Sequence, residues 1–140
     1  MLSSLPRLSV TRLLAGALAV VCMALPAAAT DLVGTGALLQ GLDKVTARIS
    51  TFEAPLDTPV RFGTLEITVH RCLKHSPEEP PESAALMEIR EIRPGEPPVS
   101  LFKGWMFASS PALNALQHPV YDVWVKDCLN AKSPALSAPK

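Results

Sequence analysis

The 140-residue sequence contains little that would anchor a protein in a membrane or attract nucleic acid. Its one extended apolar run, residues 13–25, has thirteen residues, which is too short to cross a bilayer as a helix. Basic and acidic side chains are equal in number, 13 of each, so the chain has no positive excess for phosphate groups or anionic lipid. We therefore expect no nucleic-acid binding and no membrane span in the mature protein.

The N-terminal segment, residues 1–29, has the three parts of a secretory signal peptide. Arg7 and Arg12 give it a basic start without acidic residues, the apolar run follows, and Ala27–Ala29 supply small residues before Thr30. We expect cleavage near Ala29, which would leave a mature chain of 111 residues with 11 basic and 13 acidic side chains. A chain of that length forms one domain around one core.

Cysteine is scarce, and one of the three cysteines, Cys22, lies within the predicted signal peptide. Cys72 and Cys128 remain, and they do not form the C-x-x-C motif that is typical of redox-active pairs. In an exported protein such a pair predicts one structural disulfide. Strand parity places both cysteines on the polar faces of their strands, where Trp124 would cover the bridge.

Apolar and polar residues alternate with a period of two along most of the chain, which predicts half-buried β-strands. TLEITVHRCLK and VYDVWVKDC show this pattern, whereas SLFKGWMFAS has apolar side chains on both faces and predicts a strand buried on both sides. SSPALNALQHP predicts one short helical turn, with Ser110 as its cap and Pro111 at its first position.

These patterns predict an all-β fold, a small antiparallel β-barrel or β-sandwich of about six or seven strands with one helical turn and one disulfide. We expect a single β domain over residues 37–128. Residues 30–36 are predicted to be a flexible lead-in and residues 129–140 a disordered tail, because both are rich in small and polar residues.

Two sets of residues have the chemistry of a metal or catalytic site. His70, Cys72 and His75, with Cys128, offer zinc ligands, but an oxidising compartment favours the disulfide over the metal.

Ser109, His118 and Asp122 have the residue types of a hydrolytic triad. However, the chain has no G-x-S-x-G motif, and a serine in ASSPA equally suits a helix cap. We therefore predict no catalytic residue, no metal site and no cofactor.

The acidic, proline-rich segment HSPEEPPES contains Glu78, Glu79 and Glu82. It lacks the alternating ligands of a calcium loop, so the simpler interpretation is a solvated hairpin tip. The alternative is a site for a cation or a partner, since its prolines lower the entropy cost of docking.

The few aromatic residues are concentrated in GWMFASSPALNALQHPVYDVWVKDC, which contains both tryptophans and the single tyrosine. Packing in the core is the simpler interpretation, and the alternative is a small-ligand or glycan-binding module built on Trp105, Tyr121 and Trp124. The predicted binding surface comprises Trp105, His118, Asp122 and Trp124.

Several segments together resemble the small exported bacterial proteins grouped as "domain of unknown function 2155". They are GLDKVTARISTFEAP, PVRFGTLEITVHRC, the PEEPPE loop, EIREIRPGEPP and LFKGWMFASSPALNALQHPVYDVWVKDC. The resemblance runs from about Gly41 to Cys128, and its FxGWMFxSSPxLNxxxHPVYDVWVxDC pattern is specific. It implies a Gram-negative source, hence the periplasm, and supports the single domain and the Cys72–Cys128 pair. It implies no activity.

No acid, base and nucleophile converge at a spacing that indicates catalysis. We therefore predict a periplasmic, non-catalytic accessory or interaction protein that binds an envelope protein or complex. The ligand-binding module is the second hypothesis, and a hydrolase or metalloprotein is the third.

Overall fold

A computed structural model describes residue 24 and residues 30–134, so the predicted signal peptide and residues 135–140 of the predicted tail lie essentially outside the described residues. Residues 30–134 form eight β-strands and one 3-10 turn, which confirms the predicted all-β class. The strands are β1 (Leu32–Val33), β2 (Gly36–Asp43), β3 (Arg48–Pro55), β4 (Val60–Phe62), β5 (Leu65–Lys74), β6 (Ser83–Glu91), β7 (Val99–Phe107) and β8 (Tyr121–Leu129), and the 3-10 turn is Pro111–Leu113.

The strands form two antiparallel sheets that pack against each other. The larger sheet has the order β1-β5-β6-β7, with β4 also paired to β5, and the smaller sheet has the order β3-β2-β8. The described strands close no barrel, so this arrangement is nearer to the predicted sandwich. The strand count exceeds the prediction because β1 and β4, with two and three residues, are too short to show alternation.

The core lies between the two sheets and is built by alternate residues of the long strands, as the period of two predicted. Each large apolar side chain among them stabilises the fold by roughly 1.5–3 kcal/mol relative to leaving it in water. The larger sheet contributes Leu65, Ile67, Val69, Ala85, Met87, Ile89, Phe102 and Met106, and the smaller sheet contributes Ala37, Leu39, Ala54, Val123 and Val125.

A β-bulge in β5 reverses the direction in which its last residues face. The pairing of β5 with β6 shifts after Val69, so that His70 is an extra residue without an opposite partner. Because side chains alternate with a period of two, one extra residue moves everything beyond it to the other face. Cys72 is therefore fully buried, at 0% exposure, and its predicted place on the polar face is wrong.

A second bulge, in β8, does the same for the other cysteine. Val125 pairs with Leu39 of β2 and Asp127 pairs with Leu38, so that Lys126 is the extra residue. Cys128 consequently faces the core and is only 7% exposed. Trp124 precedes the bulge and faces outward on β8, so the prediction that it covers the disulfide is also wrong.

The two bulges bring the sulfurs of Cys72 and Cys128 together in the interior, and the predicted disulfide is confirmed. The Cα atoms are 5.6 Å apart, within the ordinary range for a disulfide. Since β5 belongs to the larger sheet and β8 to the smaller one, the bridge joins the two sheets covalently.

The structure holds the chain on both sides of the predicted domain of residues 37–128. Val33 in the predicted lead-in pairs with Lys132 in the predicted tail, through hydrogen bonds of 2.7 and 3.0 Å. The N–H of Gly34 donates to the carbonyl oxygen of Cys72 at 2.9 Å. Ordered backbone pairing therefore extends a few residues beyond each predicted boundary.

Reduction of the disulfide is expected to lower the free energy of unfolding of the chain that begins at Thr30 by about 4 kcal/mol, since the bridge closes a loop of 56 residues. Urea unfolding with and without reductant measures the change. A Cys72→Ala/Cys128→Ala variant is the control, because reductant should leave its midpoint unchanged. Two titratable thiols in the native oxidised protein would contradict the bridge.

Candidate functional site

The three residues weighed as a hydrolytic triad are not brought together, because the serine and the histidine lie at opposite ends of β6. Ser109 donates hydrogen bonds from its N–H and its Oγ to Glu82, immediately before β6, whereas His118 contacts Glu91, the last residue of β6. Nine strand residues at about 3.3 Å each separate the two ends by about 30 Å. Asp122 instead forms an ion pair with Lys44 at 3.0 Å.

His118 is a buried structural residue, and the prediction that it faces outward is wrong, since its side chain is 5% exposed. Its Nδ1 accepts hydrogen bonds from the N–H groups of Val120 and Tyr121, both at 3.1 Å. Its Nε2 must then carry the proton and donate to Glu91 Oε1 at 3.2 Å. That hydrogen bond lowers the pKa of Glu91, with help from Arg93. Both ring nitrogens are therefore occupied in fixing the start of β8.

The alternative zinc set is not assembled either. Cys72 and Cys128 are joined to each other, and the two histidines have separate partners. His70 Nδ1 lies 2.7 Å from Asp57 Oδ1, and His75 Nδ1 donates to the carbonyl oxygen of Pro80 at 2.9 Å.

A polar cleft of about 320 Å³ opens at the disulfide end of the sandwich, where β5 and β8 end and β6 begins. Asp127 is its central group and accepts hydrogen bonds from Lys74 Nζ at 2.8 and 3.0 Å, from Ser83 Oγ at 3.1 Å and from the N–H of Cys128 at 2.8 Å. Partial burial disfavours its charged form, but these bonds outweigh burial and lower the pKa of Asp127. The carboxylate thus holds three strand ends together.

Glu82, on the other side of this cleft, is bound in a similar way. Its carboxylate accepts hydrogen bonds from Ser109 N–H and Oγ and from the N–H of Ser83. Burial acts to raise its pKa, and these hydrogen bonds reverse the effect and lower the pKa of Glu82. The carboxylates of Asp127 and Glu82 are both occupied by hydrogen bonds that hold strand ends together, so the role of the cleft residues is structural.

The outer face of the larger sheet carries an apolar surface, which we call the aromatic patch. Phe102 and Met106 of β7 face the core, so Trp105 and Phe107 face outward, and both are half-buried. The strand register places Trp105 beside Leu86 of β6. In a neighbouring row, the register places Phe107 beside Ala84 of β6, Ala84 beside Leu73 of β5, and Leu73 beside Val33 of β1. The patch comprises Trp105, Phe107, Leu86, Ala84, Leu73 and Val33.

The patch includes a cavity of about 310 Å³ whose apolar walls are Trp105, Phe107, Leu73 and Ala84. Its rim is polar and is supplied by Asp31, His75 and Glu82. The prediction that β7 is buried on both sides here is therefore wrong, because no described element covers its outer face. Lys103 shares that face with Trp105, and this charge within an apolar run was the signal in the sequence that could have revealed it.

The remaining residues of the predicted binding surface lie elsewhere. Asp122 and Trp124 line a smaller cavity of about 240 Å³, between β8 and residues 111–116. Tyr121 packs edge-on against Phe62, with ring centroids 5.4 Å apart. The structure thus places Trp105 in one cavity, Asp122 and Trp124 in another, and His118 in neither of the two.

These features define a small two-sheet β-protein with a disulfide between its sheets and an aromatic outer surface. The chain belongs to the family described as uncharacterized proteins conserved in bacteria (DUF2155), whose model matches residues 37–128. The resemblance seen in the sequence is therefore confirmed.

The chain is similar to an uncharacterized protein of Rickettsia prowazekii, with 33% identity over 94 residues. The match covers 67% of this chain and 61% of the relative, so it spans less than two thirds of that protein's length. No solved structure matches the chain. Among the residues that the structure describes, none of the helical segments has the length and apolarity needed to cross a membrane.

Replacement Asp127→Asn is expected to reduce stability at pH 7 by about 1 kcal/mol, a modest loss because the carboxylate is 42% exposed and solvent screens it. Since the folded-state pKa of Asp127 is lowered, its contribution is present above the unfolded-state pKa and is lost as the pH falls through the folded-state value. The variant should therefore lose less stability than the wild type between pH 5 and pH 2. Urea unfolding across this range measures the difference.

The control for this experiment is Glu96→Gln, which removes an exposed carboxylate in the β6–β7 turn. Its pH dependence should match that of the wild type. Parallel acid profiles for Asp127→Asn and the wild type would contradict the structural role of the carboxylate.

Proposed function

We propose that this protein is exported to the periplasm and acts there as a non-catalytic interaction protein that binds an envelope protein through the aromatic patch. The observation that carries the proposal is the pair of outward-facing rings, Trp105 and Phe107, beside an open apolar cavity of about 310 Å³. Contiguous exposed apolar surface on a soluble domain commonly marks an interaction site. Aromatic residues dominate the binding energy of protein interfaces.

The patch is held rigidly, which favours binding. Trp105 lies on β7 between the backbone of β6 and the side chain of Asn114, whose Nδ2 donates to the carbonyl oxygen of Trp105 at 2.8 Å. On the inner face of the same strands, Met87 and Met106 are buried in the core. A surface fixed in this way loses little conformational entropy when a partner docks.

The side chains that could perform catalysis are occupied by structural hydrogen bonds, and this supports a non-catalytic role. Glu82, Glu91 and Asp127 accept hydrogen bonds that hold loops and strand ends, and His118 uses both ring nitrogens internally. An exported location is supported by the signal-peptide pattern of residues 1–29 and is consistent with the disulfide between Cys72 and Cys128.

The second candidate function is a small-ligand module at the Trp124 cavity. An indole ring and the carboxylate of Asp122 line this cavity, and they would suit a ligand with apolar and polar parts. Its volume of about 240 Å³ falls below the roughly 300–1,000 Å³ of typical ligand pockets, so the aromatic patch is favoured.

Export is expected to remove residues 1–29. The protein purified from the native host's periplasmic fraction should begin at Thr30 and contain an oxidised Cys72–Cys128 pair. N-terminal sequencing and intact mass measure both properties. A full-length chain in the cytoplasmic fraction with both thiols free would contradict the proposed location.

Partner binding should depend on the aromatic patch. A photo-crosslinking residue at Leu86 is expected to give a discrete adduct with an envelope protein in intact cells, whereas one at the exposed Val45 in the β2–β3 turn should not. Adding Trp105→Ala should reduce the Leu86 adduct at least tenfold, since truncation of an aromatic hot spot costs about 2 kcal/mol or more. Circular dichroism must show that the variant is folded.

The Trp124 cavity supplies the matched control. Trp124→Ala should leave the Leu86 adduct unchanged. If the adduct survives Trp105→Ala but disappears in Trp124→Ala, the second candidate function replaces the first.

A further inference from the structure

We propose that the aromatic patch recognises a partner segment that carries an apolar side chain next to a lysine or arginine. This inference rests on the proposed function and adds the chemistry of the partner. Its basis is the unequal distribution of charge around the patch.

Carboxylates are concentrated at the end of the patch where β5 ends and β6 begins. Asp31 and Glu82 line the cavity itself. Glu79 lies just beyond them, and the ligand-capable atoms of Asp31, His75 and Glu79 are all within 4.8 Å of one another. This acidic rim consists of Asp31, Glu79 and Glu82.

The three carboxylates of the acidic rim form no ion pair with a described lysine or arginine. Glu82 accepts its hydrogen bonds from neutral donors, Ser83 and Ser109, and none of the ion pairs among the described lysines and arginines involves the rim. Lys74, the cation nearest in sequence, is directed to Asp127 at 2.8 Å. The imidazole of His75 also lies within the rim, and its hydrogen bond to Pro80, together with the nearby carboxylates, raises the pKa of His75. His75 therefore offsets part of the rim's negative charge as the pH falls.

The outer face beyond Trp105 and Leu86 carries both signs. Arg71 is exposed on β5 opposite Leu86, and Lys103 is exposed on β7 opposite Glu88 of β6. A basic side chain of the partner is therefore attracted to the acidic rim, where three carboxylates lie together.

The apolar cavity adjoins this rim, so one short segment can satisfy both. An aliphatic side chain would fill the space between Trp105 and Leu73, while a neighbouring lysine or arginine would lay its apolar stem over Phe107 and place its cation at the rim. A cation over an aromatic ring gains further attraction from the ring's electron density. An acidic segment would meet like charge at the same place.

The test uses short peptides as probes and a Trp124→Phe variant in which Trp105 is the only tryptophan. The probes are acetyl-Leu-Lys-Leu-Lys-amide, its Glu counterpart and its neutral Gln counterpart, each titrated at 50 mM and 500 mM salt. We expect saturable changes in Trp105 emission with the basic probe. Its affinity should exceed that of the acidic probe at least tenfold at low salt, and this advantage should shrink at high salt because surface charges are then screened.

Substitutions in the acidic rim and at Trp105 measure how much each contributes to the affinity for the probes. Asp31→Asn/Glu79→Gln is expected to weaken the basic probe about fivefold, as exposed charge pairs of 0.2–1 kcal/mol each allow, and to leave the neutral probe unchanged. Glu96→Gln, which removes a carboxylate remote from the patch, should have no effect. Trp105→Ala, followed by calorimetry, should weaken the basic and neutral probes together.

The outcomes separate this inference from the proposed function. If basic, neutral and acidic probes bind equally in a Trp105-dependent manner, the patch remains a docking surface and the charge selectivity is wrong. If no probe binds and sedimentation shows dimers that Trp105→Ala dissociates, a second copy is the occupant. If truncation after Pro134 raises probe affinity, the chain's own residues 135–140, which include Leu136 and Lys140, occupy the patch, and the inference is overturned. If no probe binds a monomeric protein, the inference also fails.

Discussion

The disulfide between Cys72 and Cys128 is the constraint on which the rest of the structure depends. Each of the two sheets is small, and neither could bury its apolar inner face without the other. The bridge fixes their separation and relative position at one end, where Asp127 also binds Lys74 and Ser83. With the sheets held together in this way, the inner faces form the core, and the outer face of β6 and β7 lies at the surface of the protein.

The described residues show no catalytic arrangement, because the side chains that could take part in catalysis are hydrogen-bonded to structural partners. Several of the protein's polar side chains hold strand ends and turns in place, as Glu82 and His118 illustrate. Within residues 30–134, the aromatic rings of β7 have no comparable structural partner on their outer side. A protein built in this way is suited to presenting a fixed surface, which is the basis of the proposed interaction role.

Alternation with a period of two predicted β5, β6 and β8, because it reports burial directly, but the same pattern in VTARIST was misleading, since Val45 lies in a turn and both Val45 and Ile49 are exposed. The sequence predicted the turn at Pro111 from local signals, although Ser110 makes no capping hydrogen bond with its side chain, and it predicted the cysteine pair from the export signal. The misplacement of the two cysteines has one physical origin. A bulge adds a single residue without altering composition, so parity counted from Glu66 or Tyr121 gives the wrong face for Cys72 and Cys128. Likewise, the burial of His118 depends on Glu91, which is distant in sequence.

The bulges also have a consequence for how this chain can vary. His70 and Lys126 are the extra residues of the two bulges. Each shifts the alternation of side chains by one position, and this shift turns the following cysteine toward the core. The side chain at either position can change with little effect on the core. Loss or gain of one residue between Val125 and Cys128, however, would rotate the sulfur to the outside. Divergence within the family should therefore be permissive in residue type at these positions and strict in length.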